Sequence, residues 1–314
     1  MSARPAILVT GADLAPQALE LLADFEIIYA GKTPDEAALI ALCRQYQPVA
    51  LLVRYGRITR AVIEACTRLS VISKHGAGID TIDGVAARER GIAVKAAVGA
   101  NAAAVAEHAV ALILAAAKSI VPLDARMRAG HWDKATHKSL ELNGKTLGLI
   151  GFGAIGRRTA AICRAMGMHI LVHDPFITTA PEGVSLASLD DVFSRADVLS
   201  LHCPLTADNR HLINASTLAR MKDGALLINT ARGGLIDDEA LIAALASGKL
   251  RGAGLDSFQT EPLAGAHHWR DIPNVVLSPH IGGVTADAYI AMGVGAATNI
   301  LDVLAQQKAG SAVA

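Results

Sequence analysis

The segment TLGLIGFGAIG, residues 146–156, constrains this chain more than any other. A short apolar strand pattern runs straight into Gly151, Gly153 and Gly156, and a helical pattern opens at once and ends near Gly167. Each glycine answers a separate steric demand. Gly151 permits the tight turn, Gly153 lets backbone approach a pyrophosphate, and Gly156 lets helix and strand pack. The N–H groups at the start of such a helix receive the anion. The next strand pattern, MHILVHD, ends at Asp174, which is 174 − 156 = 18 residues past the last glycine and suited to accept hydrogen bonds from an adenosine ribose. A carboxylate there repels a 2′-phosphate, so the expected cofactor is NAD and not NADP. Alone, Asp174 before Pro175 reads as a turn former; the order strand, glycines, helix, acid is what decides.

The rest of the chain supplies the frame that such a turn needs. At 314 residues it is long enough for two domains. Short β-branched runs alternate with helical patterns from the start: AILVT, a helix near Leu14 to Ala23, EIIYA, then TPDEAALIALCRQY, in which Thr33, Pro34 and Glu36 form a helix-start signature. PVALLVRYG, ITRAVIEACTR, LSVISKHG and GIAVKAAVG keep the beat, which predicts parallel strands with helices on both faces. The style breaks near Gly99, where the Ala-rich helix NAAAVAEHAVALILAAAKSIVPL reads as a linker element packed between domains, followed by the polar stretch RMRAGHWDKATHKSLELNG. A second alternating series then runs from KTLGLI to NVVLSPH, the beat of a doubly wound sheet. A last helix, from about Thr285 to Gln307, is long enough to cross back onto the first domain and make it discontinuous.

Composition narrows the partners. Lys plus Arg and Asp plus Glu both total 29, so no overall field draws nucleic acid or an anionic membrane, and small molecules or copies of the chain itself are the expected partners. Cys43, Cys66, Cys163 and Cys203 form no CxxC pair, which suggests neither a disulfide framework nor a zinc site and fits a reducing cytoplasm. The start, MSARPAILVTGADL, reads as a first strand and its turn and not as a signal peptide. The most apolar helical run, Ala109 to Ala117, falls short of the ~18 residues of a membrane span, and no membrane association is expected.

A nicotinamide needs a neighbouring site that binds substrate, polarises a carbonyl and handles a proton, and doubly wound sheets build such sites at the carboxyl ends of strands. Three strand ends carry suitable groups. ALLINTARGG presents Arg232, whose fixed, charged fork suits a carboxylate and a carbonyl oxygen together. GLDSFQTEP presents Glu261, and VVLSPH presents His280. A histidine of ordinary pKa, ~6.5, is half suited to giving a proton at neutral pH, and an adjacent carboxylate would raise that pKa and fix the tautomer. Glu261 is the candidate orienter. Singly, each residue has a structural alternative: a surface ion pair for Arg232, an exposed turn for Glu261, a hydrogen bond at a strand end for His280. The other histidines read as structural. His108 is assigned to helix packing, His267 and His268 to a loop, and His202 to the end of its strand, with the edge of the nicotinamide pocket as the alternative. No metal site is expected, because no His pair has ligand spacing backed by a third candidate.

Nearly the whole chain resembles the D-2-hydroxyacid dehydrogenase family, through KHGAGIDTID, NAAAVAEHAVALIL, LGLIGFGAIGR with VHDP, LHCPLT, INTARGGLIDDEAL, LDSFQTEP and LSPHIGG. The resemblance implies an α/β fold of two doubly wound parallel-sheet domains, a Rossmann NAD-binding domain at 100–284 inserted into a flavodoxin-like substrate domain at 1–99 and 285–314. It implies that Arg232, Glu261 and His280 form the catalytic set, and that backbone N–H groups of Ala77 and Gly78 hold the substrate carboxylate. Glycine-rich backbone at 76–78 can in any case form an anion nest. Further implied cofactor contacts are Ala154, Ile155, Asp174, Cys203, Pro204, Thr230, Ala231, Asp256 and Gly283. The activity implied is NAD-dependent interconversion of a small 2-oxo acid and a D-2-hydroxy acid, with hydroxypyruvate or glyoxylate reductase and D-3-phosphoglycerate dehydrogenase as the expected identities and a homodimer as the expected assembly.

Two alternatives stay open on the residues: a formate dehydrogenase-like enzyme, disfavoured because those relatives pair the histidine with Gln where this chain has Glu261, and a dinucleotide-sensing protein like the family's corepressors. The chain departs from common family patterns at Asn209, where Thr or Ser is frequent, and at Lys74 and His75, where an Arg and a small residue often stand in phosphoglycerate dehydrogenases; Lys74 is left to meet either a substrate phosphate or solvent. Hinges are expected near Gly99 and Gly282 to Thr285. With the chain stopping soon after its last helix, no amino-acid-binding regulatory domain is expected.

Overall fold

The computed structural model describes residues 4–263 and 265–311. The chain divides into two compact α/β units, one running to Asn101 and resuming at Val284, the other spanning Ala102–Gly283.

In the first unit the strands β1 (Ala6–Val9), β2 (Glu26–Tyr29), β3 (Ala50–Val53), β4 (Val71–Lys74) and β5 (Ala93–Ala96) alternate with the helices α1 (Pro16–Leu21), α2 (Glu36–Tyr46), α3 (Arg60–Glu64) and α4 (Gly84–Glu89). All strand pairs are parallel, in the order β2-β1-β3-β4-β5, the flavodoxin-like winding. Every residue of β1 and β3 is buried, as expected of central parallel strands covered on both faces, whereas edge strand β2 has partly or fully exposed residues throughout. Helix α2 differs from the sequence reading at its start. Its cap is Asp35, whose side chain accepts from the Ala38 amide at 2.7 Å, and not Thr33. Asp35 stands directly before the first helical residue, which is where a side-chain oxygen reaches an orphan amide two or three residues on.

The second unit opens with α5 (Ala102–Lys118) and α6 (Ile120–Arg128). It continues through β6 (Thr146–Ile150), α7 (Ala154–Ala165), β7 (His169–His173), β8 (Val184–Leu186), α8 (Leu189–Arg195), β9 (Val198–Leu201), α9 (Ala215–Arg220), β10 (Ala225–Asn229), α10 (Asp238–Ala246), β11 (Leu250–Leu255) and β12 (Val275–Leu277). Its seven parallel strands lie in the order β12-β11-β10-β9-β6-β7-β8, so the switch of winding direction falls between β6 and β9. Successive strand residues feed two cores. Leu147, Leu149, Val198, Leu226 and Ile228 pack with α5 and α7, while Ile150, Leu199, Leu201 and Leu227 pack with α8, α9 and α10.

Helix α5 is therefore a sheet-covering helix of this unit and not the linker that its alanines suggested. A Cβ at Gly254 of β11 would come 2.9 Å from the Leu112 Cβ, so the helix rides directly on the strand. The helix breaks at Ser119, whose φ of 52° is left-handed. The following α6, hidden within the sequence pattern, buries none of its residues.

The final helix, α11 (Ala286–Ser311), returns to the first unit. By length and composition it could cross a membrane, a property the sequence reading assigned to no segment. Its small residues instead form one face of a core: Ala296, Ala297, Ile300 and Val303 pack with Ile7, Val9, Leu52 and Val71. Ile300→Ala would open a cavity among these fully buried side chains. The expected loss is about 2–5 kcal/mol of unfolding free energy, read as a lower urea midpoint at unchanged slope.

Candidate active site

The turn after β6 has the geometry that its glycines demand. Gly151 sits at φ +98°, its amide donates to the His173 carbonyl at 2.9 Å, and a Cβ would lie 2.7 Å from the His202 carbonyl carbon and oxygen. A Cβ at Gly156 would meet the Gly151 oxygen at 2.4 Å. Gly153 is the contrast: nothing lies within 4 Å of its Cβ position, and no side chain caps α7, whose first turn carries Ala154 and Ile155. An uncapped helix start behind an open glycine suits a pyrophosphate. The Asp174 carboxylate stands beside it at the end of β7, accepting from the Phe152 amide at 2.7 Å and the Phe176 amide at 2.9 Å.

Across the switch of the sheet, β9 ends in His202, Cys203 and Pro204. His202 contacts the Ser200 hydroxyl through Nε2 at 2.9 Å, and burial lowers its pKa to about 4, so the ring is neutral. Burial raises the Cys203 thiol to about 11. Asn209, one of the departures noted above, closes this loop on itself by donating to the Pro204 carbonyl and accepting from the Thr206 amide, both at 2.7 Å. At the end of β10 the Thr230 hydroxyl is buried without a hydrogen-bond partner. An orphaned buried hydroxyl on this rim fits a polar ligand such as NAD.

Arg232 follows two residues later. Buried Asn229 donates through its amide to the Arg232 carbonyl at 2.9 Å and accepts from the Ala231 amide at 3.0 Å, and the Ser257 hydroxyl donates to the Ala231 carbonyl at 3.2 Å. The guanidinium itself donates to the Ala231 carbonyl at 2.7 Å. A Cβ at Gly233 would lie 1.9 Å from the Phe258 carbonyl carbon, so at this point the loops after β10 and β11 meet backbone to backbone. The loop after β11 carries Glu261, which accepts from the Phe258 amide at 2.9 Å through one oxygen and contacts His280 Nδ1 at 2.6 Å through the other.

His280, at φ +55°, lies on a turn organised by Asp256. That carboxylate is 1% exposed and accepts from the Ser278 hydroxyl at 2.6 Å, the Ile281 amide at 2.9 Å and the Gly282 amide at 2.8 Å. His108 Nε2 on α5 contacts the Ser278 hydroxyl at 2.8 Å and lies 3.4 Å from Asp256. Since the Ser278 proton is committed to Asp256, Nε2 of His108 is the donor. His108, read from sequence as a packing residue, is thus part of the network that holds this turn. Asn229, Ser257 and Ser278 were also missed; their signal is a polar residue at the apolar end of a strand pattern.

Electrostatics join the two loops. The Glu261 hydrogen bond raises the His280 pKa, with the charges of Glu261 and Asp256 in support and burial and Arg232 opposing. For Glu261, burial pushes the pKa up, but the His280 and Phe258 hydrogen bonds and the cations His280 and Arg232 together bring it below the ordinary value. The imidazolium and carboxylate stabilise one another. Gly283 closes this unit, whereas Ala77 and Gly78 belong to the first, in the loop after β4, where Ala77 is exposed and Gly76 sits at φ +136°. Among the described residues no three His, Cys, Asp or Glu side chains gather as a possible metal site.

Residues 110–282 match the family profile described as D-isomer specific 2-hydroxyacid dehydrogenase, NAD binding domain. The hydroxypyruvate reductase of Thermotoga maritima is 44% identical over 247 residues, 78% of this chain and 81% of that protein. The chain belongs to the D-isomer specific 2-hydroxyacid dehydrogenase family. The D-3-phosphoglycerate dehydrogenase of a Synechocystis species is 40% identical over 282 residues, 89% of this chain. This chain spans only 50% of that relative's length. A crystal structure of the TT0316 protein from Thermus thermophilus superposes with a TM-score of 0.88 at 37% identity, covering 96% of this chain and 97% of that one. In this family member the cofactor of the second unit is NAD, as the Gly151 turn and Asp174 anticipate.

The Glu261–His280 pair predicts a pH signature. His280, with its pKa raised from 6.5, contributes stability that is complete below 6.5 and lost as pH rises through the raised value; Glu261, lowered from 4.5, contributes stability that is complete above 4.5 and lost as pH falls through the lowered value. The stability difference between wild type and Glu261→Gln is therefore expected to be largest between pH 4.5 and 6.5. NMR titration of the His280 ring should show its pKa falling in that variant, and an unchanged value would remove Glu261 as the cause.

Proposed function

We propose that the chain is an NAD-dependent oxidoreductase that interconverts a small 2-oxo acid and a D-2-hydroxy acid. The observation that carries this reading is the 2.6 Å contact between Glu261 and His280 Nδ1, which commits one ring nitrogen and leaves Nε2 to face the reacting oxygen. His280 donates the proton to that oxygen during reduction and takes it back during oxidation. Glu261 keeps the ring in the required orientation and favours its charged form. Arg232 orients the substrate and polarises its carbonyl through a charged hydrogen-bonding fork. Backbone N–H groups of Ala77 and Gly78 hold the substrate carboxylate, supported by the left-handed glycine beside them. Bound NAD supplies or accepts the hydride.

The cofactor contacts in this reading are Gly151, Gly153, Ala154, Ile155 and Gly156 at the pyrophosphate turn and Asp174 at the ribose. Cys203, Pro204, Thr230, Ala231, Asp256 and Gly283 complete them along the carboxyl edge of the sheet. Asp256 acts there mainly through the turn that it ties down. We assign cofactor binding to residues 100–284 and substrate binding to 1–99 with 285–314, boundaries supported by the compact units that divide after Asn101 and Gly283. The names of relatives favour hydroxypyruvate reductase or D-3-phosphoglycerate dehydrogenase activity. The four free cysteines support a cytoplasmic setting. A homodimer is supported by α6, which buries no residue and leaves Ile120, Val121 and Met127 more than half exposed; light scattering should give twice the chain mass.

Following NADH absorbance with glyoxylate, hydroxypyruvate, pyruvate, 2-oxoglutarate and phosphohydroxypyruvate tests the activity. Binding of NADH with no turnover of any of them would favour a dinucleotide sensor. His280→Ala is expected to lower kcat by about 10²–10⁴-fold while NADH affinity holds. Equal losses in both would assign His280 to cofactor docking.

A further inference from the structure

The carboxyl ends of β1, β3 and β4 in the first unit gather a cluster that neither the cofactor nor the proton transfer uses. Arg54, which follows β3, has a side chain only 11% exposed, yet it carries a full charge. Its guanidinium is paired with the Asp13 carboxylate and donates to the Asp13 carbonyl at 2.6 Å, with its carbon 5.0 Å from the ring centre of Tyr289 on α11 and 5.3 Å from that of Tyr55. Gly11 makes room for the arrangement, since a Cβ there would lie 2.9 Å from the Arg54 Cδ. The Tyr289 hydroxyl donates to the same Asp13 oxygen at 2.6 Å, so the carboxylate is fixed from two sides. Those two bonds, Tyr289 first and Arg54 second, hold Asp13 below its ordinary pKa and hence ionised.

The cluster reaches the proposed substrate loop through His75, the residue before Gly76. The His75 ring lies 5.5 Å from the Tyr289 ring, and its amide donates to the Val53 carbonyl at 2.9 Å, beside Arg54. Burial, and then the Arg54 charge, lower the His75 pKa to about 4, so it adds no cation at neutral pH. Lys74 donates to the Arg54 carbonyl at 2.9 Å. A second anionic group reaching this cluster from a substrate held at Ala77 and Gly78 would find, besides Lys74, an Arg54 already paired with Asp13 and the Asp13 charge itself. A hydrogen or a hydroxymethyl group would meet neither obstacle.

Resting on the oxidoreductase reading above, we propose that Asp13 is a specificity-determining residue: by neutralising Arg54 it sets the substrate class to 2-oxo acids with a small uncharged substituent on C2 and rejects those whose substituent carries a phosphate ester. The repulsion and the withheld cation act together, which is how a site discriminates against a competitor and not merely in favour of its ligand.

The test measures kcat/KM for glyoxylate, hydroxypyruvate and phosphohydroxypyruvate with wild type, Asp13→Asn and Tyr289→Phe. Wild type should prefer hydroxypyruvate to phosphohydroxypyruvate. Asp13→Asn should shift the ratio toward phosphohydroxypyruvate by about tenfold, because it removes a like charge and releases a guanidinium for phosphate. Tyr289→Phe, which removes the hydroxyl bond to Asp13 and leaves its carboxylate in place, should shift it the same way by less and serves should Asp13→Asn not fold. A wild-type preference for phosphohydroxypyruvate, or a ratio unmoved in folded, active variants, overturns the assignment to Asp13 while leaving the dehydrogenase reading intact. NADH binding without turnover of any 2-oxo acid by wild type overturns both.

Discussion

The second unit depends on a single buried carboxylate. Asp256 stands at the end of β11 with 1% of its surface exposed, where an unpaired negative charge would be strongly unfavourable. Its demand for donors is met almost entirely by one short segment: the Ser278 hydroxyl and the amides of Ile281 and Gly282. Those bonds force the chain after β12 to fold back, and His280 takes a left-handed conformation in the middle of the turn. A group that must be satisfied for stability thereby decides where the His280 side chain points. His108 extends the same network to α5, so a helix that covers the sheet also helps to hold the turn. Gly282 is required for a related reason, since a Cβ would lie 2.9 Å from the Asp256 carboxylate.

The remaining construction is a matter of surfaces that carry no side chain. At Gly148 a Cβ would lie 2.7 Å from the Ala196 Cβ and 2.9 Å from Val192, which lets α8 sit close on β6. At Gly233 two loops meet through backbone alone, and this contact keeps the segment bearing Arg232 beside the one bearing Glu261. Close approach at these points gives the strand ends a fixed spacing, and a fixed spacing is what a charged pair and a neighbouring guanidinium need if their electrostatics are to be organised before substrate arrives.

Much of this was legible in the sequence because its strongest signals are local. The turn of glycines at 151–156, the acid at 174 and the alternation of strands and helices each state their own physical demand, and both parallel sheets follow that alternation. The Glu261–His280 contact was anticipated from chemistry, as a carboxylate and an imidazole on neighbouring strand ends. What sequence could not supply was the matching of partners across long separations. Nothing local links Asp256 to Ser278 or to His108, 148 residues earlier, and the polar residue Asn229 looks like any strand terminus until its bonds to Ala231 and Arg232 are seen. The Ala-rich α5 was misread as a linker because small apolar residues on all sides conceal which face is buried. Helix α11 carried the same ambiguity, and only its packing on β1, β3 and β4 resolves it.

The same Glu261 that orients His280 also bears on the proton that the proposed reaction would move in either direction. Reduction of a 2-oxo acid needs an imidazolium with a proton to give, whereas oxidation of a hydroxy acid needs the neutral ring. By raising the His280 pKa the pair favours the protonated ring, which is the donor form in the proposed reaction. Arg232 works against it, since its charge opposes the protonation of His280 and lowers Glu261. In the proposed reduction that opposition would help: a proton held less firmly is transferred more readily to an oxygen on which negative charge is growing, and the guanidinium that weakens the hold is the group proposed to stabilise that charge. Glu261 thus favours the protonated ring while burial and Arg232 oppose it, a balance that a neutral amide in place of Glu261 would shift toward the unprotonated form.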